Sequence, residues 1–491
     1  MNLSEWVRRA AISPIEVQGV DTSFSGVNSD SRTIQPGEVY VAMPSTRQDP
    51  AAYIPQAMER GAVAAVVVTR DSIRTARELG IPYLSLSADG HALFATLGRL
   101  ARAARAVDPS EVLDIIAVTG TNGKTTTAWM LRDALEALGR KAAYLGTLGL
   151  RLPDSFEEGE NTTPFPIDLW NLLDRVVASG CDTLVLEASS HALSQRRLSA
   201  VSMVAGVFTN LTQDHLDYHG SMAHYADSKR LLFTEIPLVS KRPFVGILNQ
   251  DEKVTEEWSA EVTCPIQYFS SNAFPAQSVS VDRITFQTPG GETVESRVGG
   301  TFNLENLRAT AATLQALGYD STEVATGLRS VTPVPGRFEP VLNETGIGVI
   351  VDYAHTPDSL EKLLASVHEL KPRRVLTVFG CGGDRDRTKR PLMARAASRQ
   401  SDLTIVTSDN PRTEDPESIL REVEAGIEPD RPFVSFVDRR DAIFYAVQKA
   451  EPGDIVVIAG KGHETYQIIG YTKHPMDDRA LAREALEGRT K

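Results

Sequence analysis

Short apolar runs alternate with amphipathic helical stretches along almost the whole chain, and that rhythm confines it to parallel-sheet α/β architectures. The first hundred residues give VYVAM (39–43), a helical YIPQAMERG, AVAAVVV (62–68), and LSL ahead of a helix from His91 to Val107. VDPSEVL then reads as a linker, because Asp, Pro and Ser punctuate it. The pattern restarts at Asp114 with DIIAVTG, a Gly-rich turn and the helical TTTAWMLRDALEALG, followed by the strands AAYLG, TLVLEAS, MVAGVFTN and FVGILN. It restarts again after TPVPGRFE, where GVIVDY, RVLTVFG, LTIVTSD and DIVVIAG alternate with helices such as SLEKLLASVHEL and RDAIFYAVQKA. A chain of 491 residues has room for three such units, at the usual ~100–200 residues each. The expected domains are 1–108, 109–337 and 338–491, with a mostly parallel sheet in the centre.

Composition removes several classes of function. A net charge of −13 argues against a nucleic-acid-binding surface, which needs clustered Lys and Arg. No apolar run approaches the ~18–20 residues that span a bilayer. The opening MNLSEWVRRAAISPIEV is broken by Glu5 and two arginines and lacks the apolar core of a signal peptide, so a cytoplasmic protein is expected. Cys181, Cys264 and Cys381 fit neither a disulfide framework nor a zinc spacing and read as buried free thiols.

The stretch GTNGKTTT supplies the chemistry. An apolar strand ends at Thr119 and a helix begins near Lys124, so Gly120, Thr121, Asn122 and Gly123 form the turn between them. Backbone N–H groups in such a turn point at phosphate oxygens, helped by the positive end of the helix dipole. Lys124 would reach the β- and γ-phosphates and the Thr125 hydroxyl would ligate Mg²⁺, with Thr126 in the same first turn. The common phosphate loop has four residues between its first glycine and Gly-Lys-Ser/Thr; this one has only Thr121 and Asn122. Phosphoryl transfer also needs an acidic residue at a neighbouring strand end, and Glu187 closes TLVLE. SSHALSQRRL and TNLTQDHLDYHG, the latter carrying His215 among carboxylates, add hydrogen-bonding and metal-binding capacity.

GTNGKTTT, NTTP, EASSHALSQRRL, TNLTQDHLDYHGSMAHYADSKRLLF, NLENLRAT, PVPGRFE, DYAHTPDSLEKLL, FGCGGDRDRTKRPLM, SDNPRTEDP and GKGHET occur in this order. Together, from about Asp30 to Glu464, they resemble the Mur ligases, whose own phosphate loop has the short form. The resemblance implies a nucleotide-sugar-binding N-terminal domain, a central P-loop ATPase domain and a Rossmann-like C-terminal domain. It implies ATP-driven amide formation through an acyl phosphate, in peptidoglycan precursor synthesis. ATP would be held by Gly120 to Thr126, Asn306, Arg337 and Asp352. Two Mg²⁺ ions would be held by Thr125, Glu187, His215 and a Lys229 converted to a carbamate, with Lys124, Lys229 and His215 catalytic. Asp352 also reads as a cap for the helix after its strand.

UDP-N-acetylmuramoyl-L-alanyl-D-glutamate is the implied nucleotide-sugar substrate, contacted by Ser31 in NSDSR and by Asn161, Thr162, Thr163, Ser189, Gln195 and Arg197. PSTRQDPAAY departs from relatives that carry a glycine and a histidine there, so contacts from Thr46 to Gln48 are left unassigned. DNPR, Asp409, Asn410, Pro411 and Arg412, is the form typical of relatives that add meso-diaminopimelate. A guanidinium binds that amino acid's distal carboxylate bidentately and repels the ammonium of lysine. Arg385 would supply a second guanidinium, with Arg387 a near neighbour, while Gly460 and Glu464 would hold the distal ammonium. Alternatives are a lysine-adding ligase, folylpolyglutamate synthase with its own short loop, and a nucleotide-driven switch. A monomer without nucleic-acid or membrane partners is expected.

Overall fold

In the N-terminal part the apolar runs pair as a five-stranded sheet in the order Glu16–Gln18, Tyr83–Ser85, Ala64–Val67, Glu38–Val41, Gly26–Asn28. Only the first pair is antiparallel. The computed structural model describes residues 1–43, 49–87 and 90–489. Thr46 to Gln48 lie outside the described residues. The helix Leu3–Ala10, capped by the Asn2 side chain, buries Leu3, Trp6 and Ala10 on one stripe.

The central sheet has eight strands, ordered Ile266–Phe269, Val245–Asn249, Ala205–Phe208, Asp114–Thr119, Thr183–Glu187, Ala142–Gly146, Gly149–Arg151, Phe156–Glu157. Its first six strands run parallel and the last two pairings are antiparallel. Asp114–Thr119 therefore lies between the strands that end at Phe208 and Glu187, and all three deliver their C-terminal ends to one edge. That edge is where open parallel sheets bind ligands. The expected linker contains a one-turn helix, Pro109–Val112, because Asp108 caps it and Pro109 suits a first helical position.

A three-stranded antiparallel sheet follows, Ala276–Val279, Ile284–Gln287 and Thr293–Ser296. The C-terminal sheet is ordered Glu339–Pro340, Gly348–Asp352, Ile455–Ala459, Val375–Cys381, Leu403–Ser408, Phe433–Phe436, parallel apart from its first pair. Its four central strands are buried on both faces. Ile350, Phe379, Val406 and Val457 pack beneath Leu360 and Leu364, while Val349, Val378, Ile405 and Val456 pack on Ile443 and Val447. Burial on both faces is why these strands read as unbroken apolar runs.

By compactness the chain divides into Met1–Ser270 with Ala312–Gly318, and Ser271–Ala311 with Tyr319–Lys491. The first unit holds the N-terminal and central sheets around a continuous core; the second holds the antiparallel and C-terminal sheets. Among the described residues no helix is long and apolar enough to cross a membrane.

Candidate active site

The turn after Asp114–Thr119 is fixed by the chain that follows the neighbouring strand. Thr121 N–H donates to Asn210 O (2.8 Å), and Asn122 N–H donates to Asn210 Oδ1 (2.9 Å). Thr209 Oγ1 and Asn210 Nδ2 both donate to Asn122 O, at 2.6 and 3.1 Å. Thr212 N–H donates to Thr121 Oγ1 at 2.9 Å. Five hydrogen bonds from three residues, Thr209, Asn210 and Thr212, thus give a two-residue turn the rigidity a longer loop would find within itself. Gly120, at φ 151°, admits no side chain: a Cβ there would lie 1.8 Å from Thr209 Oγ1. Gly123, at φ 83°, is the left-handed N-cap of the helix Lys124–Ala137. That helix leaves its first N–H groups at the turn, with Thr125 and Thr126 buried in its first turn. The Lys124 ammonium folds back onto Gly120 O (3.0 Å) and Thr121 O (2.9 Å).

Thr125 and Glu187 come together, the Thr125 hydroxyl donating to Glu187 Oε2 at 3.0 Å. Glu187 is buried and also accepts from Tyr144 OH (2.6 Å), Thr147 N–H (2.9 Å) and Thr147 Oγ1 (3.1 Å). A carboxylate and a hydroxyl side by side are the hard oxygens Mg²⁺ prefers. Lys229, on the helix Met222–Thr234, is buried, with its amine donating to Gly120 O at 2.7 Å and 4.2 Å from the Tyr225 ring centroid. Burial first, and then the neighbouring Lys124 ammonium, hold the Lys229 amine well below the ordinary lysine range. His215 is the N-cap of the preceding short helix, Leu216–His219, in the left-handed region at φ 51°, with Asp214 Oδ2 3.5 Å from its ring and His191 4.9 Å away between centroids. The described residues include no cluster of three His, Cys, Asp or Glu side chains with metal-binding geometry. His219, missed in the sequence, is buried between Ser190 Oγ (3.0 Å) and Ser228 Oγ (3.3 Å) and is pushed down to about 4 by burial, so it is neutral.

The residues expected to contact the sugar-peptide form one hydrogen-bonded wall beside Glu187. Thr163 Oγ1 donates to Glu187 O (2.7 Å) and accepts from Ser189 N–H (3.0 Å). Arg197 donates to Thr163 O (2.7 Å) and Gln195 Oε1 (2.8 Å), and lies 3.9 Å from the Phe165 ring centroid. Thr162 and Thr147 share a hydroxyl contact at 3.0 Å. Asn161 is exposed at the end of this wall. In the N-terminal sheet region, Ser31 is buried and donates to Gln56 Oε1 at 2.8 Å.

In the C-terminal unit, Arg385, Asp409, Asn410, Arg412, Gly460 and Glu464 converge on one cavity of about 410 Å³, together with Tyr353, His355 and Cys381. Arg385 and Arg412 are paired with no carboxylate among the described residues, whereas Arg387 pairs with Glu422, and Arg390 with Glu414 and Glu422. That contrast separates Arg385 from its neighbour Arg387. Arg412 takes the left-handed conformation, φ 52°, and its guanidinium donates to Gly383 O at 2.7 Å. Pro411 is buried against Gly383, whose Cβ position would lie 1.9 Å from Pro411 O. Gly460, at φ 114°, keeps the space over the Asp409 carboxylate open, since its Cβ would lie 3.0 Å from Asp409 Oδ2. Burial pushes the Asp409 carboxyl up, opposed by Lys461 and Arg439.

Asp352 ends the strand Gly348–Asp352 and accepts from Phe338 N–H (2.7 Å) and Ala354 N–H (2.8 Å), its carboxyl raised by burial. It does not cap the next helix. Thr356 does, in a capping box with Ser359, because it stands directly before the Pro that opens that helix. Arg337 stacks 5.2 Å from the Tyr353 ring centroid, its Nε buried with no hydrogen-bond partner among the described residues, and Asn306 donates to Asn303 Oδ1 at 3.0 Å. The cysteines also depart from expectation. All are free, but only Cys181 is fully buried, since Cys264 follows a loop and Cys381 opens onto the cavity.

Tyr144, Thr147, Asn210 and Lys461 were not singled out by sequence reasoning. Asn210 and Lys461 stand inside quoted motifs, and that position was their only signal. The glycine turn, the carboxylate at the adjacent strand end and the parallel sheet define a nucleotide-binding α/β protein equipped for phosphoryl transfer. The family profile of the Mur ligase middle domain matches residues 118–314, and that of the Mur ligase glutamate ligase domain matches 336–462. The UDP-N-acetylmuramoyl-L-alanyl-D-glutamate--2,6-diaminopimelate ligase of Geobacillus thermodenitrificans is 40% identical over 96% of both chains. The enzyme of the same name from Gloeobacter violaceus is 41% identical over 100% of this chain and 99% of its own. A solved structure of a ligase of that name is 31% identical, with a TM-score of 0.69 and full coverage of both chains. The chain belongs to the Mur ligase family, with that family's three-domain α/β fold.

Proposed function

We propose that this protein is the ATP-dependent ligase that adds meso-2,6-diaminopimelate to UDP-N-acetylmuramoyl-L-alanyl-D-glutamate during peptidoglycan precursor synthesis. Two guanidiniums without carboxylate partners, Arg385 and Arg412, share a cavity with the carboxylates Asp409 and Glu464, and this observation carries the reading. Meso-diaminopimelate presents a carboxylate and an ammonium at its far end, and this lining complements both. Lysine has no carboxylate there, so the lysine-adding alternative would leave two arginines unanswered. Relatives of about 40% identity also carry the diaminopimelate name. The functional domains are proposed as 1–108, 109–337 and 338–491, and the enzyme as monomeric and cytoplasmic.

The glutamyl carboxylate of the nucleotide-sugar attacks the γ-phosphorus of ATP, forming an acyl phosphate and releasing ADP. The amine of the diamino acid then adds to the acyl carbon and expels inorganic phosphate. The turn from Gly120 to Thr126 holds the phosphates, and Lys124 exchanges two loop carbonyls for phosphate oxygens. Thr125, Glu187 and His215 would hold Mg²⁺, which supplies charge neutralisation at the phosphoryl group. Lys229 is proposed to react with CO₂, losing a proton and becoming an anionic carbamate that helps hold a second ion. Its lowered pKa favours the neutral, nucleophilic amine over the ammonium, and its partner among the described residues is a carbonyl, not a carboxylate. Asn306, Arg337 and Asp352 are proposed for ATP, with Ser31 and the Thr163–Arg197 wall for the nucleotide-sugar.

Phosphate release from ATP, Mg²⁺ and the nucleotide-sugar, in parallel with meso-diaminopimelate, L-lysine or no amino acid, tests the reading. Release that depends on meso-diaminopimelate is expected. Preference for lysine would refute the account of the two arginines, and release without an amino acid would refute ligation.

A further inference from the structure

Beneath the amino-acid cavity lies a charged group that the reaction scheme does not use. Lys461 is fully buried. Its ammonium donates to Asn410 Oδ1 at 3.1 Å and to Glu464 Oε2 at 3.0 Å. Asn410 is pinned further, because Ile468 N–H donates to the same oxygen at 2.8 Å and Asn410 Nδ2 donates to Glu464 Oε2 at 3.1 Å. Both faces of the Asn410 amide are thereby committed, and the direction of its side chain is fixed. One oxygen of Glu464 carries two donors, while Oε1 accepts from none among the described residues. Burying an ammonium is costly unless its partners are well arranged, and an apolar side chain could fill the same volume.

We propose that Lys461 is a positioning residue for amino-acid recognition, aligning Asn410 and Glu464 so that Glu464 Oε1 and the Asp409 carboxylate take the ammonium of the incoming diamino acid. The inference rests on the diamino-acid reading of this cavity. Lys461 is also the counter-charge that lets Asp409 and Glu464 stand in one small space. The nearby buried Arg439 is bound bidentately to Asp478 and to Ala459 O, so it does not replace Lys461. Without Lys461 the Asn410 amide loses one of its three hydrogen bonds, and the two carboxylates repel each other.

Lys461→Met and Lys461→Gln, assayed by phosphate release, test this. The KM for meso-diaminopimelate should rise roughly 10–100-fold, as expected for loss of one or two charged hydrogen bonds, with kcat much less affected. The KM values for ATP and the nucleotide-sugar should stay within about twofold, because neither substrate is assigned to this cavity. Since Lys461 acts in part through Glu464, adding Lys461→Met to Glu464→Gln should raise the amino-acid KM by less than the product of the two single effects. An unchanged amino-acid KM in a folded variant would overturn the proposal. So would all three KM values rising together, full multiplication of the two effects, or failure of both single variants to fold. Absence of amino-acid-dependent turnover in the wild type would instead defeat the functional reading, which keeps the two failures apart.

Discussion

Arg412 shows what a single position can demand. A non-glycine residue at φ 52° is strained, and the neighbouring hairpin holds it there, with Arg412 N–H donating to Ile468 O (3.0 Å) and Gly470 N–H donating to Arg412 O (2.7 Å). The strain aims a guanidinium that is half spent on Gly383 O and otherwise open to the cavity. Arg412→Lys keeps the charge but loses the planar fork, so the KM for meso-diaminopimelate should rise about 10–100-fold with the ATP KM unchanged. A KM within twofold of wild type would remove Arg412 from recognition. Lys229 gives a second test. Burial and the Lys124 ammonium hold its amine below the ordinary lysine range, which favours the neutral form that reacts with CO₂, and acidification opposes carbamate formation. Activity should therefore fall in CO₂-depleted buffer at mildly acid pH and return on adding bicarbonate. ¹³C-bicarbonate should give a carbamate resonance that Lys229→Ala lacks; its absence from the active wild type would refute the modification.

At the scale of elements, two loops bearing the cavity's arginines are tied together from beneath. Arg390, 1% exposed, donates to Glu414 in the loop after Arg412, to Glu422 on the following helix, and to Gly382 O in the loop before Arg385. Asp384 N–H donates to Glu414 Oε1 (2.6 Å), and Gly383 N–H donates to Asn410 O (2.9 Å). Glu414→Gln removes a charge from this knot and should lower stability by about 1–2 kcal/mol. It should also raise the amino-acid KM without moving the ATP KM, although Glu414 does not line the cavity; an unchanged amino-acid KM would break the link between loop and recognition. The pH sign follows from Glu422, whose carboxyl the guanidiniums of Arg387 and Arg390 lower to about 2. Its contribution is present above the ordinary glutamate value of 4.5 and is lost as pH falls toward 2, so acid titration of unfolding should show weakening in that window. None of this knot was legible in the sequence, because its partners are 24 and 32 residues apart and meet only when the sheet forms. The parallel strands were legible because burial on both faces leaves unbroken apolar runs. Ala276–Val279 and Thr293–Ser296 were not, since each is four residues long, the first largely solvent-facing and the second alternating over too few residues to show a period. Individual site residues were legible where chemistry demands a residue type at a fixed spacing, as at Gly120, Lys124 and Glu187. Tyr144 and Lys461 act through contacts that spacing does not encode.

For the whole molecule, the division into two compact units, each with its own core, makes single-step unfolding unexpected. The phosphate loop belongs to the first unit and the cavity with Arg385, Arg412 and Glu464 to the second. A ligand that binds only the native form of one unit stabilises that unit, by about 2.7 kcal/mol at a hundred times its Kd. Calorimetry should thus resolve two transitions, and meso-diaminopimelate alone should raise only one. At the same ligand concentration Arg412→Lys should cut that shift to about half or less while leaving the other transition in place, which assigns the responsive transition to the C-terminal unit. One cooperative transition raised as a whole by the amino acid would mean that the units unfold together despite their separate cores. Two transitions, neither of them responsive, would mean that the cavity does not take the free amino acid and that recognition requires a second substrate already bound.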